Sequence, residues 1–128
     1  MKLSNKNKDI SYVSQVLFIF VENYQNQMNY YIVIPAHNEA QYIALTLESL
    51  VDQSALPAKV VVVNDNSTDE TETIVKSFID KHNWISLVNN PSEVKHLPGS
   101  KVILAFNKGL ESLDQNYDII VKADADLI

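Results

Sequence analysis

The sequence contains no cysteine and no arginine, and only two glycines occur among its 128 residues. Without cysteine there is no disulfide, no thiolate metal site and no thiol nucleophile, which fits a reducing compartment. Without arginine no guanidinium fork can hold a phosphate, so a bound phosphate must be met by lysine, backbone N–H groups or a metal ion. The shortage of glycine excludes Gly-x-Gly-x-x-Gly and Walker-type phosphate loops.

The chain also lacks an excess of positive charge. Its formal net charge is −6, which argues against a nucleic acid partner, because binding a phosphate backbone requires a basic surface. The apolar stretch at residues 16–21 is far shorter than the roughly 20 residues that span a bilayer, so we expect no transmembrane segment. Glu22 follows it directly, unlike a secretory signal. The sequence therefore predicts a cytoplasmic protein, free or peripheral at the inner face of the membrane.

From Tyr30 onward, short β-rich runs alternate with helical patterns, which predicts a parallel sheet built from βαβ units. The expected fold class is α/β, a Rossmann-like open sheet, mainly parallel, with helices on both faces. Residues 1–27 precede this pattern and are predicted to be a dispensable extension, with the domain running from Met28 to Ile128. The predicted strands are residues 30–34, 59–63, 84–88 and 117–122, and the predicted helices are residues 40–52, a segment opened by a Ser67/Glu70 capping box, and residues 101–113.

Polar clusters follow three of these predicted strands, at residues 35–38, 64–68 and 124–126. The carboxyl ends of parallel strands meet at one edge of a sheet. In open α/β sheets ligands bind in the crevice at that edge. The three clusters are therefore expected to form one site.

Asp124 and Asp126 place two carboxylates two residues apart, directly after an apolar strand. Such oxygens suit Mg²⁺ or Mn²⁺, which is usually held by one or two carboxylates together with substrate phosphates. A solvated turn is the alternative for an isolated Asp-x-Asp. The position at the ligand edge of the sheet favours the metal site.

Three further side chains are candidates for ligand contacts. Asp65 could accept hydrogen bonds from a nucleobase or a ribose hydroxyl, or form only an Asx turn. His37 could stack on a base, or be an ordinary surface residue. Lys101, at the start of a predicted helix, could reach a diphosphate, or be merely solvated.

The sequence resembles the family-two glycosyltransferases with the GT-A fold. The resemblance covers residues 30–128 and rests on three ordered motifs at residues 32–39, 61–69 and 123–126. It implies a nucleotide-diphospho-sugar donor, an inverting displacement and a Mn²⁺ or Mg²⁺ ion. The implied donor-binding residues are Pro35, Ala36, His37 and Glu39 around the nucleotide, Asp65 at the base or ribose, Lys101 near the diphosphate, and Asp124 and Asp126 at the ribose and metal.

In the family the acceptor half and its catalytic carboxylate lie well downstream of the Asp-x-Asp motif. Because the sequence ends at Ile128, we expect a donor-binding half that has no general base, is inactive alone and self-associates through an exposed sheet edge. Two other readings stay open: a non-catalytic nucleotide-binding module, and a metal-dependent nucleotidyltransferase. The missing glycine-rich loop speaks against the latter. The sugar, base and acceptor are undetermined.

Overall fold

The structure is a computed structural model that describes residues 28–91 and 100–127. The described residues form four strands and three helices. In chain order these are β1 (Tyr30–Ala36), α1 (Ile43–Val51), β2 (Lys59–Asn64), α2 (Thr71–Ile79), β3 (Ile85–Asn89), α3 (Ser100–Glu111) and β4 (Ile119–Lys122). The predicted extension at residues 1–27 lies outside the described residues.

The strands form one sheet in the order β3-β2-β1-β4. All three pairings are parallel, and β1 lies between β2 and β4. The connections α1, α2 and α3 return the chain to the starting edge of the sheet each time. The prediction of an open parallel α/β sheet is confirmed.

Helices cover both faces of the sheet because side chains alternate along each strand. Ile32 and Ile34 of β1 belong to a core that includes Ile43 and Leu47 of α1 and Val75 of α2. The other face has a second, smaller core under α3, which is formed by Val33, Val61, Val63 and Ala105. The predicted two-sided arrangement is therefore present, with α1 and α2 on one face and α3 on the other.

Helix α3 lies very close to the sheet at Gly109. A Cβ atom built on Gly109 would lie 2.6 Å from both Val33 Cγ1 and Val63 Cγ2, far inside van der Waals contact. Both valines are fully buried. The absence of a side chain at position 109 thus lets α3 pack directly on β1 and β2.

The first strand is two residues longer than predicted: it continues through Pro35 and ends at Ala36. Proline is normally excluded from a central strand since it has no N–H to donate. Here the carbonyl of Val33 accepts the N–H of Ala123 at 3.0 Å, just after β4 ends at Lys122. The prolyl nitrogen two residues later thus faces the side where the β4 ladder has already finished, and no ladder hydrogen bond is lost.

The predicted capping box at the start of α2 is wrong. The helix begins at Thr71, and its N-cap residue Glu70 forms no side-chain cap hydrogen bond. Asp69 accepts the Thr71 N–H at 2.9 Å instead. The Ser67 hydroxyl is engaged elsewhere, since it accepts the N–H of Asn38 at 3.0 Å.

Helix α3 buries only part of its apolar surface. Ala105 is buried, but Val102 is 43% exposed. Val102 borders a pocket and belongs to neither core cluster. Throughout the described parts of the chain, the helices are all too short or too polar to cross a bilayer.

Candidate functional site

A pocket opens at the carboxyl edge of the sheet, beyond the ends of β1, β2 and β4. It is bordered by every predicted site residue except Lys101, together with two residues of α3 and the alanine between the two aspartates: Pro35, Ala36, His37, Glu39, Asp65, Val102, Ala105, Asp124, Ala125 and Asp126. The three polar clusters of the sequence therefore meet on one surface.

Lys101 lies in the first turn of α3 and is exposed. The pocket is instead bordered by Val102 and Ala105 of the same helix, which share a face because they are three residues apart. The structure thus places Lys101 beside the pocket lining. Its contact with a diphosphate stays a prediction.

Strand register brings the first two clusters together. Ala36 at the end of β1 pairs with Asn64 at the end of β2, and its carbonyl accepts the Asp65 N–H at 2.8 Å. Asp65 is largely buried as a residue, and its carboxylate accepts a hydrogen bond from the Asn90 amide at 3.2 Å. Asn90, which directly follows β3, therefore holds Asp65 in place, and this contact was not predicted from the sequence.

Asn38 ties the loop after β1 to the loop after β2. Its backbone has φ of 52°, a left-handed conformation that asparagine tolerates better than most residues. Its side-chain Oδ1 accepts the N–H of Thr68 at 2.7 Å and that of Asp69 at 3.3 Å. The two loops that carry His37 and Asp65 are therefore held as one unit.

His37 also contacts the second loop directly. Its Nδ1 lies 2.6 Å from the carbonyl oxygen of Asp65. A carbonyl can only accept, so we assign the proton to Nδ1. The ring is thereby oriented, while the side chain remains exposed at the rim of the pocket.

The Asp124–Asp126 segment is anchored from helix α1. The Thr46 hydroxyl donates to the carbonyl of Ala125 at 2.7 Å, and both residues are buried. The Asp124 and Asp126 side chains are exposed on either side of this contact, and Asp124 also pairs with Lys122 at 2.7 Å. Thr46 was not predicted as a site residue: a hydroxyl on the apolar face of a predicted helix indicates a buried hydrogen bond but not its partner.

The pocket carries an excess of negative charge. Burial raises the pKa of the Glu39 carboxyl, and the nearby charge of Asp126 raises it further. The negative charges of Asp69 and Asp124 act in the same direction, against an opposing effect of His37. A bound cation would relieve this repulsion.

The donor set fits a hard divalent cation in part. Asp124 and Asp126 offer exposed carboxylate oxygens in the pocket, as such a cation requires. Within residues 28–91 and 100–127 no group of three or more histidine, cysteine or acidic side chains has the geometry of a complete metal site. An ion here would need ligands from a substrate, as is usual for Mg²⁺ at phosphate sites.

The pocket holds about 190 Å³. Sites that enclose a small molecule typically hold roughly 300–1,000 Å³. The pocket formed by the described residues is therefore smaller than a site that encloses a whole small molecule.

Comparison with known proteins identifies the family. The profile of glycosyl transferase family 2 matches residues 31–128, and the chain belongs to this family. A probable glycosyltransferase of Bacillus subtilis, YdaM, is 34% identical over 82% of this chain and 24% of its own length. A glucuronosyltransferase of Methanococcus voltae that acts on a dolichyl phosphate-linked sugar is 30% identical over 73% of this chain and 28% of its own length. The chain thus spans about a quarter of these relatives.

Solved structures give the same fold. Glucosyl-3-phosphoglycerate synthase of Mycobacterium tuberculosis is 26% identical, with a TM-score of 0.61 over 84% of this chain and 37% of its own. Staphylococcus aureus TarS, in a structure of residues 1–349 with UDP, is 28% identical, with a TM-score of 0.60 over 77% of this chain and 28% of that one. Both are GT-A glycosyltransferases, so the expected fold class and family are confirmed.

Proposed function

We propose that this chain carries the donor-binding part of a glycosyltransferase that moves a sugar from a nucleotide-diphospho-sugar to an acceptor hydroxyl. The observation that carries the proposal is the shared pocket in which Asp65, on the nucleotide side, and the Asp124 and Asp126 carboxylates border one surface. We assign the donor-binding unit to residues 28–128 and treat residues 1–27 as an extension. The proposed setting is the cytoplasm or the inner face of its membrane.

Each predicted site residue has a proposed role. Asp65, fixed by Asn90, accepts a hydrogen bond from the base or the ribose. His37, oriented by the Asp65 carbonyl, packs on the nucleotide with Pro35 and Ala36, and Glu39 completes that wall. The remaining roles concern the diphosphate: Lys101 pairs with it from α3, Asp124 contacts the ribose or a metal ion, and Asp126 binds the metal ion.

A divalent ion, Mn²⁺ or Mg²⁺, is part of the proposal. When bound, such an ion would offset the negative charge that develops on a departing nucleoside diphosphate. The crowded carboxylates around Glu39 support a cation at this position. The structure of the Mycobacterium tuberculosis synthase with Mn²⁺, UDP and its product supports the same combination of ion and nucleotide.

The proposed reaction is a direct displacement with inversion. The acceptor hydroxyl attacks the anomeric carbon from the face opposite the diphosphate and loses its proton to a general base. We assign none of the described residues to that base, because the pocket carboxylates are all assigned to the donor side. The described residues would then bind and orient the donor, and acceptor specificity would depend on other residues.

Calorimetric titration of UDP into the 128-residue chain, with MnCl₂ or with EDTA, tests the proposal. We expect tighter binding with Mn²⁺, and we expect Asp126→Ala to lose this difference. Asp80→Ala, at the exposed end of α2, is the matched control and should behave as the wild type. Equal affinity with metal and with chelator would contradict the metal assignment.

A turnover assay separates an enzyme from a non-catalytic module. UDP-sugars are incubated with the chain and Mn²⁺, and released UDP is measured with and without added acceptor sugars. Metal-dependent UDP binding without turnover would favour the donor-binding role alone. Turnover by the chain would instead show that a general base lies within its own residues.

A further inference from the structure

Thr46 is a hydroxyl residue on the apolar face of α1. It is fully buried, and its neighbours on that face are Ile43, Leu47 and Leu50. A buried hydroxyl is unfavourable unless it finds a hydrogen-bond partner. A threonine inside a helix commonly bonds the carbonyl four residues earlier. Thr46 instead donates across the fold to the carbonyl of Ala125, at 2.7 Å.

Ala125 lies between the two proposed metal-binding aspartates and beyond the sheet ladder. The last backbone contact between β4 and β1 is from the Ala123 N–H to the Val33 carbonyl, at 3.0 Å. Ala125 is buried, whereas Asp124 and Asp126 are exposed. The hydrogen bond from Thr46 therefore fixes the backbone at the point from which both carboxylates extend into the pocket.

We propose that Thr46 is a positioning residue that sets the geometry of the Asp124 and Asp126 carboxylates through the Ala125 carbonyl. This inference rests on the proposed function, which assigns those carboxylates to a divalent ion. Without the hydroxyl, the buried carbonyl loses its donor, and the segment must turn to reach water. Ligand geometry must hold within a few tenths of an ångström to bind a metal, and loss of a supporting contact typically lowers affinity by about 10–100-fold.

The test compares Thr46→Ser with Thr46→Ala and Thr46→Val in the 128-residue chain. Serine keeps the hydroxyl and deletes the methyl group, alanine deletes both, and valine replaces the hydroxyl with a methyl group. UDP is titrated calorimetrically with MnCl₂ and with EDTA, and Tm is measured for every variant. The ratio of the two UDP affinities isolates the metal-dependent part of binding.

We expect Thr46→Ser to keep the Mn²⁺-dependent gain in UDP affinity despite a lower Tm. Thr46→Ala and Thr46→Val should lose about 10–100-fold of that gain, while UDP affinity in EDTA is unchanged in all variants. Ser49→Ala is the control, because the Ser49 hydroxyl donates to the Thr46 carbonyl within α1, at 2.7 Å, and does not contact the Asp124–Asp126 segment. It should bind as the wild type does.

Three outcomes overturn the inference, and they differ in what they say of the proposed function. If Thr46→Ala or Thr46→Val keeps the wild-type Mn²⁺-dependent gain in UDP affinity, Thr46 has no positioning role, while the proposed function is unaffected. If Thr46→Ser and Thr46→Ala lose this gain equally, the effect comes from packing of the methyl group and not from the hydroxyl. A wild-type chain with no Mn²⁺-dependent gain would remove the proposed metal role, and the positioning role with it. The serine and alanine pair keeps the comparison valid if Thr46→Val does not fold.

Discussion

Lys122 and Asp124 form an ion pair across the end of β4, with Nζ of the lysine 2.7 Å from Oδ1 of the aspartate. The pair occupies one of the two carboxylates proposed to bind a metal ion. Both side chains are partly exposed, at 41% and 63%. Exposed ion pairs are typically worth about 0–1 kcal/mol, so a divalent ion can displace the lysine at little cost.

The first prediction is that Lys122→Met strengthens Mn²⁺ binding. The substitution removes both a competitor for Asp124 and a repelling positive charge, and the small energy of exposed pairs limits the gain to about fivefold. Mn²⁺ is titrated without nucleotide, so that any contact between Lys122 and a phosphate plays no part. Lys76→Met is the matched control, because Lys76 forms a similar pair with Glu72 on α2, at 2.8 Å and outside the pocket.

Weaker Mn²⁺ binding in Lys122→Met would contradict this prediction. It would mean that the lysine holds Asp124 in place for the metal. The same decrease in Lys76→Met would instead show a general effect of net charge.

The second prediction concerns the contact between α3 and the sheet. Gly109→Ala places a Cβ atom 2.6 Å from Val33 and Val63, both buried and unable to move far. Overpacking of this kind typically costs about 1–3 kcal/mol. Urea denaturation should therefore show a lower free energy of unfolding, although alanine is the better helix former.

The control for this prediction is Asn107→Ala, on an exposed position of the same helix, which should be neutral or slightly stabilising. A double variant, Gly109→Ala with Val63→Ala, tests the cause. If the clash is the reason, the two substitutions together should cost less than the sum of their separate effects. Wild-type stability in Gly109→Ala alone would refute the close-approach argument.

The sheet and the location of the site were predictable because their signals are local. The valine run at positions 60–63 is buried throughout, as a strand covered on both faces requires. Asp65 follows β2 and Asp126 follows β4, so the parallel arrangement of these strands brings both residues to one pocket. Such patterns need no knowledge of which residues pack together.

The supports of the site were not predictable, because they depend on residues far apart in the chain. Thr46 and Ala125 are separated by 79 positions, and nothing near Thr46 in sequence indicates its partner. The prediction of a Ser67/Glu70 capping box was wrong for the same reason, because the Ser67 hydroxyl accepts the N–H of Asn38 from another loop. Rules for helix caps use only neighbouring residues, so they cannot predict a hydrogen bond with a distant part of the chain.

The third prediction is a pH dependence at the opposite end of the sheet. The hydrogen bond from Lys59, followed by that from Tyr31, lowers the pKa of Asp114 to about 2. Because the folded-state pKa lies below the unfolded value near 3.8, the stabilisation is complete above pH ~4 and is lost as the pH falls towards 2. Asp114→Asn should therefore lower Tm at pH 7, with a difference from wild type that narrows between pH 4 and pH 2.

Thermal melts at pH 7, 5, 3 and 2 check this prediction, with Asp80→Asn as the control on an exposed helix end. Tyr31→Phe removes one of the two side-chain donors and should give a smaller effect of the same shape. A difference in Tm that stays constant from pH 7 to pH 2 would mean that Asp114 stabilises the fold by packing and not by charge.

The last prediction is self-association through β4. Among the described strands β4 pairs only with β1, so its second edge has unpaired backbone groups of an Ile-Ile-Val-Lys sequence. An apolar open edge can pair with another chain, and a charge on it prevents this. Ile119 and Val121 pack on the core, so Ile120, which points to the other face, is the position to change.

Light scattering after size-exclusion chromatography should show oligomers that grow with concentration, and Ile120→Lys should be monomeric. Ser86→Lys, an exposed position on the other edge strand β3, should associate as the wild type does. A wild-type monomer at all concentrations would refute the open-edge argument.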